Sequence, residues 1–129
     1  MVVDASVLVE FLRRGPDGQR IEQRLREASG KLHVPHIVDL EVTQAIRRHV
    51  SLGLITPDSG RSAVAILEAF PAERHAHGFL LPRIWALRHN FSAYDAAYVA
   101  LAEWLDAPLL TRDRRLAAAA GHAARIELI

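Results

Sequence analysis

Two hydrophobic patterns alternate along the chain. "MVVD", "KLHVP" and "APLLT" are short apolar runs bounded by polar or turn residues, and each reads as a buried strand. "ARIELI" reads as a closing strand and "AERHAHG" as a weak one at an edge. Between the strands, apolar residues recur at helical spacing. The first helix presents Val7, Leu8, Phe11 and Leu12, with Asp4 or Ser6 placed to cap it and Gly15-Pro16 to stop it. "DGQRIEQRLREAS" turns Ile21, Leu25 and Ala28 inward and ends at Gly30. Pro35 is expected to open a third helix that runs to about Leu52 before Gly53. "TPDSGRSAVAILEAF" places Thr56 as N-cap and Pro57 at the first helical position. "LLPRIWALRHN", "SAYDAAYVALAEWLD" and "RDRRLAAAAG" supply three more helices. Strands that alternate with helices imply βαβ crossovers, an α/β fold, and a parallel sheet covered on both faces.

The length of 129 residues predicts one domain, spanning 1–129. A net charge of +1 excludes a global basic field, so a polyanionic partner needs a local patch. The chain has no cysteine, which removes disulfides and thiolate metal sites and agrees with a cytoplasmic location. No signal peptide is visible. "AAYVALAEWL" and "RLAAAAGHAA" are too short and too interrupted to span a bilayer, so no membrane association is expected.

Charge changes the picture where strands end. Asp4 and Asp113 each follow an apolar strand closely, where an open parallel sheet binds its ligands. Each is equally a good N-cap for the helix that follows. Glu41 shares a helical face with Ile37 and Ala45, which suits either a site carboxylate or an ion pair at the rim of the core. Asp95 shares a face with Tyr98, Val99 and Ala102, and Ser92 three residues earlier also makes it a capping-box acid. Crowded carboxylates raise one another's pKa, and a divalent cation removes that cost. Oxygen ligands without cysteine favour Mg²⁺ or Mn²⁺, ions that activate water against a phosphodiester.

"VVDASVLVEFL", the proline and "LE" around the third helix, "SAYDAAYVALAE" and "PLLTRDRRL" resemble the four acidic motifs of PIN-domain ribonucleases. The nearest likeness is to the toxin half of bacterial VapBC toxin–antitoxin pairs. The resemblance covers the chain in order and implies a three-layer α/β/α sandwich with a mainly parallel sheet. It implies a Mg²⁺- or Mn²⁺-dependent endoribonuclease with Asp4, Glu41, Asp95 and Asp113 as metal-binding acids. Ser6 and Thr111 match hydroxyl residues that orient carboxylates or water. The implied partners are RNA, a VapB-type antitoxin and a second copy in a homodimer. Ala96 and Arg114 stand where members often carry further acids, so the likeness gives little support to a second metal and leaves one or two open. The alternative is a catalytically silent PIN-like module that binds protein or RNA.

Other residues have weaker patterns. Arg112, Arg114 and Arg115 bracket Asp113 and read either as phosphate contacts or as partners of the acids. Arg13 and Arg14 could line the same crevice, but they also sit at a helix C-terminus, where cations belong. His75 and His77 share one strand face without a further ligand nearby in sequence. Trp85 and Trp104 read as core or interface anchors, and Tyr94 and Tyr98 as packing residues before base-stacking ones. A receiver-type phospho-acceptor would need a lysine at a late strand end, but the single lysine is Lys31.

Overall fold

A computed structural model describes residues 1–28 and 30–129. Five parallel strands lie in the order β3-β2-β1-β4-β5. They are β1 (Val2–Val3), β2 (Leu32–Pro35), β3 (Ala72–His75), β4 (Leu109–Thr111) and β5 (Ile126–Leu128). The sheet is wholly parallel rather than mainly so. Helices α1 (Ala5–Leu12), α2 (Gly18–Arg26), α3 (Val38–Ser51) and α4 (Pro57–Glu68) pack together in one layer. A short 3-10 turn (Gly78–Leu80), α5 (Leu81–Ala86) and α6 (Ala93–Trp104) form the other, with α7 (Arg114–Ala118) against β4 and β5. Every residue from Ala96 to Ala102 is buried, as expected of a helix that is apolar all round. It lies against β1, β2 and β4, and each leucine-sized side chain it buries contributes about 2–3 kcal/mol of transfer free energy.

The predicted elements form, with shifts that have physical causes. Pro35 is the last residue of β2, and a turn intervenes before α3 opens at Val38. Thr56 caps α4 by accepting from the Ser59 amide at 3.1 Å, and Gly53 ends α3 with φ +70°. The second helix stops at Arg26, and Ser29, the last residue expected in it, lies outside the described residues. The alanine run after Leu116 leaves the helix at Ala119 despite its high helix propensity. There the backbone finds other partners. Asn90 Nδ2 donates to the Ala120 carbonyl at 2.9 Å, and the Ala123 amide donates to Glu103 Oε1 at 2.8 Å. These long-range bonds draw the chain out towards β5. Trp85 and Trp104 are 69% and 58% exposed, so neither belongs to the core.

The edge strand is fastened by Arg74, whose Nε donates to Asp39 Oδ2 at 2.9 Å and whose Nη2 donates to the Leu67 carbonyl at 2.8 Å. One side chain thereby joins β3, the start of α3 and the end of α4. Asp39 is thus an ion-pair partner as well as a first-turn charge. Arg74→Met keeps the stem and deletes these bonds. It is expected to cost about 1–2 kcal/mol, given that both partners are partly solvated. A lower urea midpoint with an unchanged m-value checks this.

Candidate active site

Chain order reverses between β1 and β4, the two central strands, which makes the gap beyond their carboxyl ends the natural crevice of the sheet. Asp4 leaves β1 there, and Asp113 follows β4. Asp4 precedes α1 with extended backbone, but its side chain makes no capping bond. Instead Oδ2 accepts from two hydroxyls. Ser6 Oγ is in short contact with it, and Thr111 Oγ1 donates at 2.8 Å. Each hydroxyl also accepts a backbone amide, Arg112 N to Ser6 and Asp113 N to Thr111, both at 3.0 Å. Those amides fix the hydroxyl protons toward Asp4. The Ser6 backbone amide also favours the ionised carboxyl, and Asp4 is only 6% exposed.

Glu41 lies on α3, half-buried, and receives the phenol of Tyr98 from α6 at 2.5 Å. Asp95 sits in the first turn of α6. Ser92 Oγ accepts its amide at 3.1 Å and donates to its Oδ2 at 2.8 Å, so the acid engages the cap hydroxyl. Burial pushes the Asp4 carboxyl above its ordinary range, the hydroxyl bonds oppose this, and the Asp95 charge adds to it. Burial likewise raises Glu41 against the Tyr98 bond, and Asp4 and Asp95 both add repulsion. Three of the four predicted acids therefore sense one another.

Asp113 differs. Its Oδ1 accepts the Arg115 amide at 2.7 Å and the Leu116 amide at 3.4 Å, so it does cap α7. Burial alone would raise its pKa, but those amides and the Arg115 guanidinium hold it below the ordinary value. No three of the four acids bring oxygens within 4.8 Å of one another among the described residues. The four acids are thus spread about the strand ends as hard carboxylate donors, two of them held above their ordinary range without a counter-charge. That donor chemistry fits a divalent cation.

Two supporting residues escape a reading of the sequence alone. Tyr98 is 1% exposed, as a packing residue would be, but its hydroxyl orients Glu41. Glu10 is 1% exposed and is held by Arg13 at 2.5 Å, Arg112 at 3.2 Å and the Asp17 amide at 3.2 Å. Glu10 stands three residues after Val7 on the apolar face of α1, the same signal that singled out Glu41. Arg112 also pairs with Asp17 at 2.6 Å. Its pairing with acids matches the second of its two readings. Arg114 and Arg115 are exposed, and Arg115 lies 3.4 Å from Asp113. Tyr94 is 59% exposed, contrary to its reading as a packing residue.

This arrangement of sheet, switch point and acids has known counterparts. The family model for the PIN domain matches residues 1–122. The chain is 41% identical over 130 residues to Ribonuclease VapC1 of Mycobacterium tuberculosis, covering 99% of this chain and 96% of that protein. It is 40% identical over 129 residues to Ribonuclease VapC12 of the same organism, covering 100% and 98%. A crystal structure of VapBC2 from Rickettsia felis, bound to a DNA fragment from its promoter, superposes with a TM-score of 0.71. That match spans 99% of this chain and 97% of the other at 13% identity, and it speaks for the fold alone. The chain belongs to the PIN-domain family, among its VapC-type ribonucleases.

The raised Asp4 pKa has a consequence for stability. Below the unfolded pKa both states hold the proton and ionisation has no cost. As pH rises, the unfolded chain ionises first, and the penalty grows until pH passes the folded value. Near neutrality the ionised Asp4 therefore opposes folding. In metal-free buffer Asp4→Asn is expected to unfold at the same temperature as the wild type or higher near pH 7. That advantage should vanish below about pH 4. Melting curves at both pH values check the sign.

Proposed function

We propose that the chain, acting as one nuclease unit over residues 1–129, is a Mg²⁺- or Mn²⁺-dependent endoribonuclease and the toxin of a VapBC-type pair. The observation that carries this is the state of Asp4. It is a buried carboxylate at the switch point, held by two hydroxyls and paired with no cation, beside the like charges of Glu41 and Asp95. An isolated structural aspartate gains nothing from such neighbours, whereas a cation ligand does.

Asp4, Glu41, Asp95 and Asp113 would hold the ion. When bound, it supplies positive charge beside the scissile phosphodiester and acidifies water for attack. Ser6 and Thr111 would hold the Asp4 carboxylate in place for the ion, and Tyr98 would do the same for Glu41. Asp113 stays ionised at neutral pH through its capping amides. Arg114, exposed at the start of α7, is placed to meet the RNA backbone, where arginine contacts position the strand without reading its sequence. No helix among the described residues is long and apolar enough to cross a membrane, and the proposed setting is the cytoplasm. The proposed partners are the RNA, a VapB-type antitoxin with an arginine that pairs with the acids, and a second copy of the chain.

Purified protein should cleave RNA in Mg²⁺ or Mn²⁺ and stop in EDTA. Asp4→Asn and Asp113→Asn should each lower the rate about a hundredfold or more. Cleavage undiminished by EDTA would refute the metal-dependent reading. RNA that is retained but never cut would favour the silent binding module instead.

Induced expression of the chain alone should arrest growth. Co-expression of the antitoxin, or the Asp4→Asn change, should restore it. Unimpaired growth beside active, soluble enzyme would refute the toxin role.

A further inference from the structure

Away from the acidic crevice, β2 and β3 bring together another set of metal-type donors. His33 on β2 is the register partner of Glu73 on β3, and His75 lies two residues further along, so all three project from one face of the sheet. His33 Nδ1 lies 3.0 Å from His75 Nε2, and Glu73 Oε1 lies 3.9 Å from the same nitrogen. One donor atom from each residue falls within 4.8 Å of the others. Ligands bonded to zinc at about 2.0–2.1 Å in tetrahedral geometry stand about 3.4 Å apart, inside the range found here. Parallel pairing of β2 with β3 fixes all three backbones without any ion. The Trp104 ring packs edge-on against His75 with centroids 6.0 Å apart, and Phe79 supports Trp104 at 4.8 Å.

We infer that His33, Glu73 and His75 form a zinc site that staples the edge strand β3 to β2. Two imidazoles and one carboxylate suit Zn²⁺ better than Mg²⁺, which prefers oxygen donors and retains its waters. The fourth position opens to solvent beside Glu73, which is exposed. Lys31 reaches the other Glu73 oxygen at 3.4 Å, an exposed pair too weak to hold the carboxylate against a metal. His77, the other histidine of the H-x-H pair, is outside the cluster, and His33 from the neighbouring strand takes its place. Asp95 and Trp104 stand near opposite ends of α6, about 14 Å apart along its axis, so the two ion sites are separate. The inference does not rest on the ribonuclease reading.

Trp104 supplies the test. In untagged protein carrying Trp85→Phe, Trp104 is the single tryptophan, and Co²⁺ bound at His75 should quench its fluorescence. Quenching of Trp104 by Co²⁺ is expected to saturate as a single site, accompanied by the absorption bands of tetrahedral cobalt, and Zn²⁺ should reverse both signals. Glu73→Gln, an exposed change that leaves the fold intact, should weaken Zn²⁺ at least tenfold. His75→Gln should abolish quenching, and Asp4→Asn should leave it unchanged. In Asp4→Asn, where the crevice is weakened, Zn²⁺ should still raise the melting temperature, and adding His75→Gln should remove that gain. Absence of saturable quenching would mean that the two histidines only hydrogen-bond each other, and would overturn the site. Quenching lost in Asp4→Asn but kept in Glu73→Gln and His75→Gln would assign the ion to the crevice and overturn it equally.

Discussion

A carboxylate withdrawn from water at the joint between β1 and β4 sets the terms for the rest of the molecule. Asp4 cannot simply be solvated, because its backbone amide is bonded to Leu110 at 3.0 Å and the residue is nearly buried. Its charge has to be met locally, and two hydroxyls from different segments meet half of it. Ser6 comes from the first turn of α1 and Thr111 from the end of β4, so the site exists only when those strands pair in register. Folding and site assembly are in that sense one event.

The layer beneath follows the same logic with the opposite sign. Glu10 is as buried as any core leucine, yet its pKa is lowered. Burial opposes ionisation there, but the Asp17 amide and the guanidinium groups of Arg13 and Arg112 outweigh it. Removing one partner of such a cluster leaves an uncompensated charge, which is why these networks stiffen the structure they sit in. Arg112 thereby locks the segment that carries Thr111 and Asp113 to α1. Asp4 and Glu41, withdrawn from water with no cation beside them, have raised pKa values instead.

The strands, most of the helices and the order of the four acids are legible in the sequence, because periodicity and capping are local and leave local marks. Thr56 and Gly53 act at the ends where their chemistry places them. The exit of the chain from helix at Ala119 leaves no such mark, since its causes are Asn90 and Glu103, far away in sequence. Tyr98 reads as core because its ring is core, and only its hydroxyl has another role. Arg112 looks like its neighbours Arg114 and Arg115 in sequence, and only the fold separates the paired cation from the exposed ones.

The sequence by itself determined the alternation of strand and helix and the placement of acids after apolar runs. It also carried the likeness to a nuclease family, because each of these is written in residues close together along the chain. The tertiary structure alone decided which acids share a crevice, which arginines are already paired, and that His33 rather than His77 is the companion of His75. Those outcomes depend on strand order and register, which bring together residues about 40 to 100 positions apart. Pairwise distance across such separations is a property of the packed core and has no local signature.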